Sequence, residues 1–173
     1  MVKYSSVEAI ARALEAEGVR YLVVGGLAVA LHGFGRNTAD VDMVVQLERG
    51  NVISAFRALA TLGYRPLVPV KAEQFADPQT RRAWIEQKGM LVLNFHSDQH
   101  RETNFDLFVT EPFDFDAEYE RSFVQELTPG LKLRALCLDR LIEMKQRAGR
   151  PKDLIDADEL SRIREALRGK QEG

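Results

Sequence analysis

Val23-Val24-Gly25-Gly26 and, 13 residues further on, Asp40-Val41-Asp42-Met43-Val44-Val45 decide how this chain is read. The first stretch continues Tyr21-Leu22, a short β-prone run that stops at the glycine pair. The second is a strand in which every second residue shares a face, so Asp40 and Asp42 stand on one side, roughly 7 Å apart along the chain. Aspartate is a poor strand former, and two on one face repel each other. A divalent cation neutralises such a pair, because hard cations take carboxylate oxygens. The glycines fit the other half of such a site. A strand that ends in Gly25-Gly26 and opens a helix offers free backbone N–H groups with no side chain in the way of a phosphate.

Other readings of these residues are weaker. No Gly-Lys-Ser/Thr follows the glycines, so this is no Walker-type phosphate loop, and the third glycine of a dinucleotide fingerprint is missing. A plain turn at Gly25-Gly26 with solvated aspartates on an edge strand is the structural alternative. A further carboxylate, Asp106, interrupts the β-prone run Asn104-Phe105-Asp106-Leu107-Phe108, where a charge is costly without a partner.

Around these strands the pattern is mixed. Ser5-Ser6-Val7-Glu8 has capping-box spacing ahead of an apolar stripe at Val7, Ile10, Ala11 and Leu14, with Gly18 as the stop. A short helix is expected over 27–32 and an amphipathic one over 51–62, capped by Asn51. Asp77-Pro78 opens a helix to about Gln87. Strands are expected over 40–47, 90–95 and 104–109, and a hairpin joins 123–127 to 131–133 around Pro129-Gly130. From Leu136 the chain reads as helical, broken at Gly149 to Pro151 and fraying from Gly169. The fold class is α/β (α+β): a small mixed-sheet core over 1–134, with a C-terminal helical segment over 135–173 packed on it.

The C-terminal helices carry a second anomaly. Lys145 shares an apolar stripe with Leu138, Leu141 and Ala148; Asp153 and Asp156 share one with Leu160, Ile163 and Leu167. Charges on an inward stripe persist when paired, and Lys145, Lys152, Arg147 and Arg150 are at hand. The alternative is an ordinary helix start at Asp153 with a Lys152–Asp156 pair on the surface.

The glycine pair, spacer and acidic-hydrophobic-acidic strand resemble the signature of the DNA polymerase beta-type nucleotidyltransferase superfamily. Gly25 to His32, then Arg36 and Thr38 before Asp40, are similar to its AbiEii-type toxin and minimal-nucleotidyltransferase branch, as is Lys145-x-x-Ala148-x-Arg150-x-Lys152-Asp153-x-x-Asp156. The resemblance implies two magnesium ions held by Asp40, Asp42 and Asp106, with Asp106 also taking the proton of an attacking hydroxyl. It implies a nucleoside triphosphate held by Gly25, Gly26, Arg36, Thr38, Lys145, Lys152 and Asp153. The implied activity is transfer of a nucleoside monophosphate to a tRNA, protein or small-molecule hydroxyl, in a toxin-type modifier with an antitoxin partner. A catalytically inactive binder of the same fold is the alternative. A resistance enzyme of the aminoglycoside type is a third reading, and it requires an acidic acceptor pocket.

Composition sets the remaining bounds. The chain has 173 residues, 45% of them hydrophobic and 29% charged, with a net charge of -2, which argues against a surface coated in basic residues. A lone Cys137 forms no internal disulfide and is expected to be a buried structural thiol. With no signal pattern and no spanning apolar run, the expected location is the cytoplasm, away from membrane. His96 and His100 are too few for a zinc site, Arg81, Arg82 and Lys88 read as a solvated helix face, and Phe75 and Trp84 as core.

Overall fold

The computed structural model describes residues 1–171. Its centre is a seven-stranded mixed sheet, built from β1 (Tyr21–Val23), β2 (Asp40–Val45), β3 (Tyr64–Pro66), β4 (Val92–Ser97), β5 (Asn104–Phe108), β6 (Phe123–Thr128) and β7 (Leu131–Ala135). They lie in the order β3-β4-β5-β2-β1-β7-β6. The helices are α1 (Tyr4–Ala16), α2 (Gly25–Leu31), α3 (Arg49–Thr61), α4 (Ala72–Ala76), α5 (Pro78–Lys88), α6 (Phe115–Glu120), α7 (Leu138–Ala148) and α8 (Pro151–Gln171). None is long and apolar enough to cross a membrane.

Alternation along the central strands divides the sheet into a core face and a site face. Val41, Met43, Leu93, Phe95, Phe105 and Leu107 point into the core and are at most 1% exposed. Asp40, Asp42 and Asp106 fall at the alternate positions. β2 runs parallel to β5 with Asp40 beside Asn104 and Asp42 beside Asp106. That register puts the third carboxylate in line with the first two at a sequence separation of 64. β1 lies antiparallel on the other flank of β2, with Val23 beside Met43, so the glycines after β1 arrive next to Asp42.

Several elements begin elsewhere than the sequence suggests. Ser5 caps nothing: α1 starts at Tyr4 after Lys3, without a side-chain cap. The chain is held there instead by tertiary bonds, from Val2 N–H to the Thr38 carbonyl and from Lys3 N–H to Thr103 Oγ1. α3 starts at Arg49, and Asn51 lies inside it. Its amide accepts from Arg20 N–H (2.8 Å) and donates to the carbonyls of Arg20 and Gln46 (3.0 and 2.9 Å), fastening the entry of β1 to the exit of β2. Asp77 does cap α5, accepting from Thr80 N–H. The expected hairpin forms β6 and β7. α8 is helical through Gln171, so the fraying expected from Gly169 is not seen that far, and residues 172 and 173 lie outside the described residues. The inward stripe of α8 reaches Leu160 at full burial, but Leu167 is exposed. β3, α4 and α6 had no counterpart in the sequence reading.

Candidate active site

The site is a cavity of about 700 Å³ whose walls include Gly25, Gly26, Asp40, Asp42 and Asp106 on one side and Lys145, Lys152 and Asp153 on the other. Arg36 and Thr38 also line it. All ten residues singled out in the sequence therefore meet in one place.

The glycines are there because nothing else fits. Gly25 has φ +65, and a Cβ on it would lie 2.0 Å from Asp42 Oδ2. A Cβ on Gly26 would lie 2.8 Å from Thr38 Oγ1. Backbone thus presses directly on the carboxylate, and Gly26 N–H donates a hydrogen bond to it.

Electrostatically the carboxylates are under-compensated. The Asp42 carboxyl is pushed up to about 6, first by burial and then by the charges of Asp106 and Asp40, which together outweigh Lys145 and the Gly26 N–H. Burial also raises Asp106, with Asp40 adding to it and a hydrogen bond from Asn94 opposing. Two amides steady the set: Asn94 Nδ2 donates to Asp106 Oδ1 at 2.8 Å and Asn104 Nδ2 to Asp40 Oδ1 at 3.2 Å. Sequence reasoning missed both. The two-residue period used for Asp40 and Asp42 would have placed Asn104 beside Asp106; nothing local marks Asn94.

Among the described residues no group of three or more Asp, Glu, His or Cys side chains is placed so as to hold a metal ion as they stand. The donor set nevertheless fits a hard cation: oxygen ligands only, mutually repelling, on one open wall of a cavity.

The opposite wall is fully compensated. Lys145 Nζ lies 3.0 Å from Asp153 Oδ1 and 2.8 Å from Asp156 Oδ2, with all three residues buried. Arg150 also pairs with Asp153, and Arg36 reaches across from the loop before β2 to Asp156. Burial opposes the Asp153 charge, but hydrogen bonds from Arg150 and Lys145 prevail and hold its carboxyl below the usual range. The Arg36–Asp156 pair replaces the surface Lys152–Asp156 pair considered from sequence; Lys152 is exposed at the rim.

Other residues fall outside the site. His100 Nδ1 bonds Ser6 Oγ at 2.9 Å and the ring stacks on Tyr64, whereas His96 faces Asp98, so the two histidines do not converge. Phe75 is core as expected, and Trp84 is half-buried against it. Arg81 is not solvated: it is buried, donates to the Phe75 carbonyl and lies over that ring. Cys137 is half-buried rather than fully enclosed, and its thiol donates to Glu118 at 3.3 Å.

No protein-family model matches the sequence, and no curated protein matches it. Solved structures do. The lincosamide antibiotic adenylyltransferase LnuA, lincomycin-bound, superimposes with a TM-score of 0.57 at 14% identity, over 94% of this chain and 98% of that one. The antibiotic-resistance factor ANT(2'')-Ia gives 0.55 at 13% identity, over 97% and 92%. An antigenic nucleotidyltransferase-like protein from Paracoccidioides brasiliensis gives 0.53 at 17%, over 91% and 74%. The chain has the nucleotidyltransferase fold. These neighbours lend no support to the AbiEii-type branch.

Proposed function

We propose that this protein is a magnesium-dependent nucleotidyltransferase that moves a nucleoside monophosphate from a triphosphate to the hydroxyl of a small molecule. The observation that carries the reading is the trio Asp40, Asp42 and Asp106, aligned on one sheet face against a glycine turn, with Asp42 raised by burial and by its neighbouring carboxylates. A structural cluster would be paired, as Asp153 and Asp156 are. A cluster kept unpaired at a cavity wall suits a cation brought in with substrate.

Asp40, Asp42 and Asp106 would hold two magnesium ions, which when bound neutralise charge on the attacking and leaving oxygens. Gly25 and Gly26 let the triphosphate approach the backbone closely. Lys152 at the rim and the braced Lys145 and Arg36 supply positive charge on the phosphate side, Thr38 props the turn against Gly26, and Asp153 keeps Lys145 in place. The acceptor oxygen bonds to the α-phosphorus, the bond from that phosphorus to the β-bridging oxygen breaks, and pyrophosphate leaves. Asp106, which the resemblance assigns as the base, takes the hydroxyl proton. Asn94 orients that carboxylate.

Two of the structural neighbours are named for antibiotics, and this favours a small-molecule acceptor over RNA or protein. No feature of the fold favours a toxin role or an antitoxin partner. The test is incubation with each α-labelled triphosphate and magnesium in the presence of small-molecule extract. Label is expected on a small molecule, with one pyrophosphate released per transfer; no label with any triphosphate would refute the proposal.

A further inference from the structure

The cavity has two unlike ends, and the strand order separates them. Gly25 and Gly26 follow β1, and the cations Arg36, Lys145, Arg150 and Lys152 gather on that side of the carboxylates. On the other side lie β5 and β4, which present a different chemistry. Phe108 stands two residues beyond Asp106 on the same face, and Val92 is its cross-strand partner. Leu91, 69% exposed, borders them at the mouth. Below this apolar group the face continues as Asn94 and Asn104, both exposed, so this half of the sheet is left open.

The charge inventory is just as uneven. Among the described residues that line the cavity, the acids are Asp40, Asp42, Asp106 and Asp153. The first three are the proposed cation ligands, and Asp153 is already paired with Lys145 and Arg150. No unpaired carboxylate remains for an ammonium group on an acceptor, because Asp153 is taken up by Lys145 and Arg150, and Asp156 behind it by Lys145 and Arg36. A bound polycation would find no free carboxylate to compensate it, whereas an apolar flank would find Phe108, Val92 and Leu91 beside the carboxylate proposed to take the proton.

Resting on the transferase reading above, we infer that the acceptor is an uncharged hydroxyl compound with an apolar flank, seated on Phe108, Val92 and Leu91, and that polycationic aminoglycosides are excluded. Asn94 and Asn104, each exposed and giving one N–H to Asp106 or Asp40, keep a second N–H and the amide oxygen for its polar edge. The nucleotide end and the acceptor end are therefore separable by mutation. Phe108→Ala should raise the acceptor KM roughly 10-fold or more, the scale on which lost apolar contacts act. Leu91→Asp, at an exposed position, should do likewise without disturbing the fold. Neither should change thermal protection by magnesium and triphosphate.

The experiment compares label transfer from α-labelled triphosphate to a panel of neutral alkyl and aryl glycosides and to a panel of aminoglycosides, with thermal protection by magnesium and triphosphate measured alongside. Transfer to the glycosides alone, weakened in KM by both variants, is the expected result. Intact nucleotide protection with transfer to aminoglycosides, with transfer to neither panel, or with unchanged KM in both variants overturns this inference and leaves the transferase reading standing. Absence of nucleotide protection overturns both.

Discussion

Asp42 and Asp153 line the same cavity, the first half-buried and the second fully buried, yet they are in opposite electrical condition. Asp42 is pushed up to about 6 by burial and by its fellow carboxylates. Asp153, more deeply buried still, is held below the ordinary range by Arg150 and Lys145. Burial alone thus says little about what an acid is for. The partners decide: a carboxylate that the fold has paired is a brace, and one that the fold has left unpaired awaits something from outside.

The comparison can be broken most forcefully at the unpaired wall. Asp40→Asn, Asp42→Asn or Asp106→Asn should each lower metal-dependent transfer by about 100-fold or more, the scale of losing a charge-stabilising group, while the melting temperature holds or rises. Transfer at the natural rate in these variants, measured with labelled triphosphate, would show that the trio is not the site.

At the paired wall the expected effect is on stability. Lys145→Ala leaves Asp153 and Asp156 buried with fewer partners and should cost about 3–5 kcal/mol in urea unfolding. A loss of nucleotide affinity at full stability would instead make Lys145 a ligand of the triphosphate rather than a brace.

Gly25→Ala joins strain at φ +65 to a collision with Asp42. It should cost about 1–3 kcal/mol and abolish thermal protection by magnesium and triphosphate. Chemical unfolding and thermal melts, with and without ligand, measure the two parts separately.

The pH dependence sharpens the contrast without ligand. A carboxyl raised on folding binds more protons in the folded state, so its cost begins above its unfolded value near 4 and is complete above about 6. In metal-free protein, Asp42→Asn should gain about 1–2 kcal/mol at pH 8 and almost nothing at pH 4. Asp153 has the reverse sign: its contribution is present above its unfolded value and fades as the pH falls through the lower folded one. Equal gains for Asp42→Asn at both pH values would mean that its carboxyl is not raised.

The smallest effect belongs far from both walls. Ser5→Ala should change stability by less than about 0.5 kcal/mol, because no side chain caps α1. A loss near 1 kcal/mol would restore the capping box.

Residues whose chemistry conflicts with their local pattern were the ones legible in sequence. Two aspartates in a valine-rich strand, an aspartate amid phenylalanine and leucine, and a lysine on an apolar stripe all led to the cavity. What stayed hidden depends on partners distant in sequence. Arg36 is reached only through the family resemblance, and its pairing with Asp156 depends on α8; Asn94 is an unremarked strand residue until β4 pairs with β5. Helix starts failed for the same reason: local capping signals at Ser5 and Asn51 lost to long-range bonds from Lys3 and Arg20.

The Arg36–Asp156 bridge also has a consequence for how the protein is made. Its two ends are 120 residues apart. At about 5–20 residues per second on the ribosome, roughly 6 to 24 s separate their synthesis. All three carboxylates of the trio are translated within that interval, before Asp156 exists to close the opposite wall. On the reading proposed above, a growing chain can therefore own all three carboxylates and still lack the wall that would face the triphosphate until Asp156 has been added, so products truncated before it are expected to be idle rather than unregulated.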